Sequence, residues 1–289
     1  MTKILITGAT GKVGRRVVEH LAGHPGLRAL AHSDQSAATL TAEGVEVARG
    51  SLDDPAALDA ALAGVDALFL LTPYTPDQGA TELRVLHAAR AAGVTRVVKL
   101  SSLLEARPIR VARGHAAVSA ALPGLGFTHV SILQPDNFMD NELASVDTLR
   151  QGLLFANAGA ARLSFVDARD IGAVAAAELT AATPAGGKLV ITGPEALTFG
   201  EYAGRLGAAL ALEVQYVSPP DAEFTQALLN AGLPDFYARD LTEMFASIRD
   251  SGLTHAPTDT VQRLTGHAPR TAEDFARDVL APALTTATA

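Results

Sequence analysis

Three glycines at positions 8, 11 and 14 sit in the run Thr7-Gly8-Ala9-Thr10-Gly11-Lys12-Val13-Gly14. A chain without Cβ atoms can turn sharply, come close to phosphate oxygens and let a helix pack tightly on a strand. If a helix starts here, its first N–H groups lack intrahelical partners and its dipole favours an anion. The chemistry on offer is a grip on the diphosphate of a dinucleotide. The spacing is G-x-x-G-x-x-G rather than G-x-G-x-x-G, which assigns the phosphate approach to Thr10 and Gly11, with Lys12 and Val13 beside them.

The flanking elements supply the required context. Ile4-Leu5-Ile6 is a short apolar run that reads as a buried strand, and Val13, Val17, Val18 and Leu21 fall at helical spacing. A second strand, Leu27 to His32, ends where such folds meet the adenosine ribose. His32 and Ser33 stand there in place of an acidic residue, with Lys12, Arg15 and Arg16 nearby, so NADP is expected over NAD; Asp34 argues the other way. A third strand at 45–48 leads to Ser51 and Leu52, expected to border an adenine ring, and to Asp54-Pro55, a helix cap with proline at the first helical position. The apolar run from Asp66 to Leu71 suits a parallel strand covered on both faces, and it exits through Thr72, Pro73 and Tyr74 at the carboxyl edge. A helix at 82–92 and strands at 96–102 and 128–133 follow. This alternation predicts an α/β fold with a doubly wound parallel sheet. Beyond residue 135 the sequence implies a loop to 141, helices at 143–151 and from Asp167-Ala168-Arg169-Asp170 through Leu179, and a strand at 188–192. Thr198-Phe199-Gly200-Glu201 is a capping box; 219–253 is mostly helical, a helix at 271–280 closes the chain, and Thr285 to Ala289 are expected to fray.

Composition narrows the function. Acidic residues outnumber basic ones, 31 to 23, for a net charge of −8, which disfavours a nucleic-acid-binding face. With no cysteine there is no disulfide, thiolate catalysis or cysteine metal site. No apolar run approaches the roughly 20 residues that span a bilayer, and a strand starting at residue 3 leaves no room for a secretory leader, so a cytoplasmic protein is expected. His20 and His24 lack a third ligand, no G-x-S-x-G turn is present, and neither a metal site nor a nucleophile is expected.

Taken together, several segments resemble the NmrA-like branch of the atypical short-chain dehydrogenase/reductases. They are Thr7 to Arg15, Gly50-Ser51-Leu52-Asp53-Asp54, Lys99-Leu100-Ser101-Ser102, Pro135 to Asn141, Val166 to Ile171 and Thr192 to Thr198. Within that branch the chain is most similar to NAD(P)H-dependent quinone and dye reductases. The resemblance implies a Rossmann-type domain over 1–155 and a smaller, mostly helical substrate lobe over 156–289, with 163–192 packing back on the sheet. It also implies a small-molecule acceptor, with no nucleic-acid or membrane partner, and a monomer or homodimer. Three departures stand out: His-x-x-x-Glu is His115-Ala116-Ala117-Val118-Ser119, Arg-Pro after the sixth strand is Gln134-Pro135, and the arginine closing the second strand is His32.

Typical relatives protonate an alkoxide with Tyr-x-x-x-Lys. The tyrosines at 74, 202, 216 and 237 and the lysines at 3, 12, 99 and 188 do not form that pair. Without a strong general acid, an unactivated ketone is a poor substrate, whereas a quinone yields a delocalised anion that water can protonate. The expected catalytic residues are His115, Ser101 and Lys99. The expected cofactor contacts are Gly8, Thr10, Gly11, Lys12, Val13, Gly14, His32, Ser33, Ser51, Leu52, Leu71, Thr72, Pro73, Lys99 and Ser101. Tyr74, Asn137, Phe138 and Met139 are expected to line the acceptor pocket, while Asp167 and Asp170 brace the joint between lobes. The leading expectation is hydride transfer from NAD(P)H to a quinone-like or other conjugated acceptor. A dinucleotide-sensing regulator and a tailoring reductase of an aromatic metabolite are the alternatives.

Overall fold

Ile4, Leu5 and Ile6 are fully buried, as a strand inside a sheet covered on both faces must be. The computed structural model describes residues 2–252 and 255–286. Its first half alternates β1 (Ile4–Ile6), α1 (Lys12–His20), β2 (Leu27–Ala31), α2 (Asp34–Ala42), β3 (Glu46–Arg49), α3 (Pro55–Leu62), β4 (Ala67–Leu70), α4 (Gln78–Ala91), β5 (Arg96–Leu100), α5 (Arg110–Ala121) and β6 (His129–Pro135). Next come α6 (Val146–Arg150), β7 (Leu153–Phe155), β8 (Arg162–Leu163), α7 (Ala168–Thr180), β9 (Gly187–Ile191), β10 (Leu197–Thr198) and α8 (Phe199–Leu210). Then follow β11 (Gln215–Val217), α9 (Asp221–Asn230), α10 (Asp235–Ser251), α11 (Thr260–Thr265), α12 (Ala272–Phe275) and α13 (Ala281–Thr286), the last two joined by a π-helical turn at Ala276–Leu280.

Seven strands form one parallel sheet in the order β3-β2-β1-β4-β5-β6-β9. The chain winds outward one way from β1 and the other way from β4, so the switch point lies between those two strands. Crevices that bind ligands open at the carboxyl ends of such neighbours. Thr7 marks the spot: its hydroxyl donates to Leu71 O (2.8 Å) and accepts from Leu71 N (2.9 Å), tying the strands where they part.

Two cores cover the sheet. On one face α1, α2 and α7 pack their apolar sides; on the other, α3, α4 and α5 do the same. The chain from the second half enters the first layer, because α7 packs against α1 and β9 extends β6. The α1–α7 crossing is close enough that a Cβ on Gly172 would lie 2.5 Å from Arg16 Cβ. A third core gathers Phe165, Phe199, Tyr202, Leu206 and Phe275 beneath α8, α10 and the closing helices.

The local signals for helix starts appear as hydrogen bonds. Asp54 caps α3 through Ala56 N (3.0 Å), and capping boxes open α8 at Thr198 and α12 at Thr271. Boundaries moved elsewhere: α4 starts at Gln78, β6 runs on to Pro135, and the expected loop contains a 3-10 turn at Met139–Ala144. The two small sheets, β8 with β10 and β7 with β11, were not foreseen, since strands of two or three residues carry too little periodicity. Of the expected frayed end, Thr285 and Thr286 belong to α13, while 287–289 lie outside the described residues, as does residue 253 of the expected helical stretch.

Candidate functional site

The glycine turn and α1 build one side of the site. Gly8 takes φ +64°, and a Cβ on Gly14 would lie 2.0 Å from Gly8 O, so the helix can begin this close to β1 only with glycine there. Gly11 is the N-cap and offers no side-chain cap; the first turn holds no acidic residue. The N–H groups of Lys12, Val13 and Gly14 are therefore left for an anion. Close packing falls to Gly14, while Gly11 and Thr10 are exposed at the turn. Lys12 reaches across to Asn141 Oδ1 (3.1 Å), joining the turn to the loop after β6.

Further along the edge, His32 is exposed at the end of β2, but the Ser33 hydroxyl caps α2, accepting from Ser36 N at 3.2 Å. Asp34 forms an ion pair with Arg49, which ends β3 beside Ala31. The Ser51 hydroxyl accepts from Asp53 N (3.1 Å), and half-buried Leu52 packs on the α3–α4 core. Ser33 and Ser51 thus hold their hydroxyl oxygens in local turns, each as an acceptor from the backbone.

A cavity of about 260 Å³ opens at the carboxyl ends of β4, β5 and β6. It brings together Leu71, Thr72, Tyr74, Ser101, His115, Asn137 and Phe138. Its roof is α10, through Tyr237, Leu241, Met244 and Ile248, a face the sequence showed only as amphipathic helix. Three ties hold that roof: Tyr74 donates to Asp240 Oδ2 (2.5 Å), Arg107 to Ser247 O (3.2 Å), and Arg110 Nε stands 2.7 Å from Asp240 Oδ1. Burial, and then the bond to Asp240, raise the Tyr74 phenol, so it makes a poor acid. Asn137 has a side-chain amide with no partner among the described residues. Gln78 Nε2 donates to Glu82, leaving Gln78 Oε1 as a buried, unpartnered acceptor on the wall.

Two expectations need correction. Met139 is 1 % exposed in the third core and does not line the cavity, because its N–H bonds Val166 O and turns the residue inward. Lys99 reaches neither cofactor crevice nor cavity: it is fully buried beneath the floor, Nζ standing 2.7 Å from Glu82 Oε2 and donating to Leu100 O at 2.6 Å. An inward-facing lysine on a fully covered strand must find a carboxylate, and Glu82, on the buried side of α4, provides it. Glu82 in turn accepts from Thr72 Oγ1 (3.0 Å).

His115 stands above this pair, with Nδ1 3.2 Å from Lys99 Nζ. Burial, and then the Lys99 charge, push its pKa down to about 3, so the ring is neutral at physiological pH. An acidic partner is present nearby although Ser119 replaces the expected glutamate. Glu105 accepts from Ser119 Oγ (2.7 Å) and Ser101 Oγ (2.5 Å), and pairs with Lys188 (2.6 Å). Burial works against the Glu105 carboxylate, but the Lys188, Ser101 and Ser119 bonds outweigh it and hold the pKa below its usual value. Ser101, on the cavity wall, therefore has its hydroxyl proton committed to Glu105.

Asp136, Glu82 and Glu105 were missed by sequence reasoning. Asp136 anchors the loop that carries Asn137, accepting from Asn137 N (2.9 Å) and Ser164 N (2.7 Å), with His255 Nδ1 at 3.3 Å. Its position at the end of an apolar strand was the available signal. Asp167 caps α7 and binds Arg169, and Asp170 accepts from Arg270 N (2.7 Å), which ties the sheet layer to the segment before α12.

The model of the NmrA-like family matches residues 1–113. The chain is 35% identical to the NAD(P)H azoreductase of Xenophilus azovorans over 281 residues, 95% of this chain and 96% of that protein. It is 31% identical to quinone oxidoreductase 2 of Escherichia coli, over 93% of this chain and 95% of that one. The crystal structure of the Escherichia coli NADPH-dependent quinone oxidoreductase QOR2 complexed with NADPH superposes with a TM-score of 0.83 at 29% identity, covering 95% of this chain and 98% of that chain.

Proposed function

The chain belongs to the NmrA-like family, and from that premise we propose that it is an NAD(P)H-dependent oxidoreductase that reduces a quinone or dye acceptor. One observation carries the proposal: the uncapped N-terminus of α1 and the acceptor-sized cavity meet at the same switch point of the sheet. The residues fit a dinucleotide. Lys12, Val13 and Gly14 offer backbone N–H groups and Lys12 a cation to the pyrophosphate, on a turn that Gly8, Thr10 and Gly11 shape, and Leu71 and Thr72 border the path to the cavity. When bound, the dinucleotide supplies a hydride.

The chain's own part is to hold donor and acceptor face to face and to keep water out. Tyr74, Phe138, Tyr237 and Met244 give the cavity an apolar, flat-walled character that suits a conjugated ring. Two of the wall's hydroxyls are not free to hand over a proton: Tyr74 is bound to Asp240 and Ser101 to Glu105. This favours acceptors whose reduced anion is weakly basic. NADP is favoured over NAD because Asp34, which would repel a 2′-phosphate, is paired with Arg49, and His32 is not acidic. The net charge of −8 suits a cytoplasmic small-molecule reductase better than a nucleic-acid binder. Among the described residues no helix is long and apolar enough to cross a membrane.

The test follows NADPH absorbance with a panel of quinones and azo dyes. Turnover above the enzyme-free rate is expected with at least one acceptor. Stoichiometric binding of NADPH without turnover would overturn the reductase reading in favour of a dinucleotide sensor.

A further inference from the structure

We propose that Lys99 is a positioning residue that fixes the neutral His115 ring with its proton on Nε2, so that His115 donates a hydrogen bond to the acceptor oxygen without giving up its proton. The proposal rests on the reductase reading above and deepens it by assigning the group that meets the developing charge.

An ammonium has three N–H donors and no lone pair. Lys99 Nζ has three neighbours, Glu82 Oε2 at 2.7 Å, Leu100 O at 2.6 Å and His115 Nδ1 at 3.2 Å. Facing a group that can only donate, Nδ1 must accept, and the ring proton is left on Nε2. Lys99 keeps its charge because deprotonation would strand Glu82, which is fully buried, as an uncompensated carboxylate. The charged groups facing His115 come from three elements: Lys99 on β5, Glu82 behind it on α4, and Glu105 in the loop after β5. Protonating the ring would put a second N–H against the Lys99 ammonium.

His115 lines the cavity, and Nε2 has no partner among the described residues. It is therefore a donor left for a ligand, and among those on the cavity the one whose proton position is fixed by a buried cation. As a quinone takes up a hydride, two electrons travel with the hydrogen and an oxygen of the acceptor becomes anionic. The Nε2–H group stabilises that oxygen where charge builds up. The compensating proton comes from solvent, so His115 returns unchanged and needs no reprotonation step.

Long-range proton–nitrogen NMR on the uniformly labelled protein reads the tautomer directly, with His115 assigned by its disappearance in His115→Gln. The expected result is a neutral Nε2–H ring, unchanged between pH 5 and 8. An Nδ1–H ring, or a ring that titrates near pH 6.5, overturns the proposal. Kinetics gives a second readout: His115→Ala should lower kcat about tenfold, the worth of one neutral hydrogen bond, with KM moving less. His115→Gln, whose amide can still donate, should recover most of the loss. An unchanged kcat in His115→Ala also overturns the proposal. The double variant Lys99→Met/Glu82→Gln removes the charge pair together; if it folds, the His115 ring, still buried and neutral, should lose its Nε2–H preference and populate the Nδ1–H form, and a ring still locked as Nε2–H would clear Lys99 of the role. Should no acceptor be reduced at all, the reductase reading fails while the tautomer measurement stands by itself.

Discussion

Single side chains set the pH behaviour of this protein. Glu142 is buried in the turn after β6, and burial first of all pushes its pKa up to about 7 from 4.5. The folded state therefore holds a proton that the unfolded chain releases above pH 4.5. Stability from this group declines as pH rises from 4.5 to about 7 and levels off above, by about 3 kcal/mol in all. His115 acts in the opposite sense. Its folded pKa lies below that of the unfolded chain, so its contribution is present above pH 6.5 and lost as pH falls toward 3. Glu142→Gln isolates the first effect: its Tm should match the wild type near pH 4.5 and exceed it at pH 8 by several degrees. Parallel Tm profiles across that range would show that Glu142 ionises freely in the fold. None of this could be read from the chain order. His115 was visible as a candidate, but its proton depends on Lys99, sixteen residues away, and on Glu82, and the geometry that joins them exists only once α4 and α5 are laid against β5.

At the level of elements, what was local was legible. The β1–turn–α1 unit, the Asp54 cap and the Thr198 and Thr271 capping boxes lie within a few residues of their partners, so their physics is written in short sequence windows. Gly14 is the sharpest case. A methyl group there would collide with the backbone at Gly8 O, with no flexible side chain to move aside. Gly14→Ala should cost about 1–3 kcal/mol through overpacking and weaken NADPH binding more than tenfold, since α1 must shift away from the turn it opens. Calorimetric titration would check this; wild-type affinity in the variant would mean the turn does not hold the diphosphate. The roof was not legible for the complementary reason. Tyr74 and Asp240 are bonded although 166 positions apart, and nothing near either residue announces the other. Met139 was misplaced because an apolar side chain in a loop can face a pocket or a core, and only the bond from its N–H to Val166 decides which.

The whole molecule depends on how its two halves are fastened. Asp170 on α7 has no solvent exposure, and its carboxylate receives Arg270 N as well as the Arg270 guanidinium. Arg270→Ala would leave a buried carboxylate with only part of its compensation, at a cost of about 3 kcal/mol, the lower end for a broken buried pair because the arginine is partly exposed. Urea unfolding should show a lower midpoint, with the closing helices loosening before the sheet; an unchanged midpoint would place the fastening elsewhere. The acceptor cavity, too, exists only at this scale. Its floor is made of strand ends that also carry the proposed dinucleotide crevice, whereas its ceiling is a single helix, α10, held by Tyr74, Arg107 and Arg110. That division lets one part change while the other keeps its form: Leu241, Met244 and Ile248 can be exchanged without touching a group proposed to grip the diphosphate. A lineage, or an engineer, wanting a new dye or quinone would redraw that one ceiling and inherit the electron supply intact.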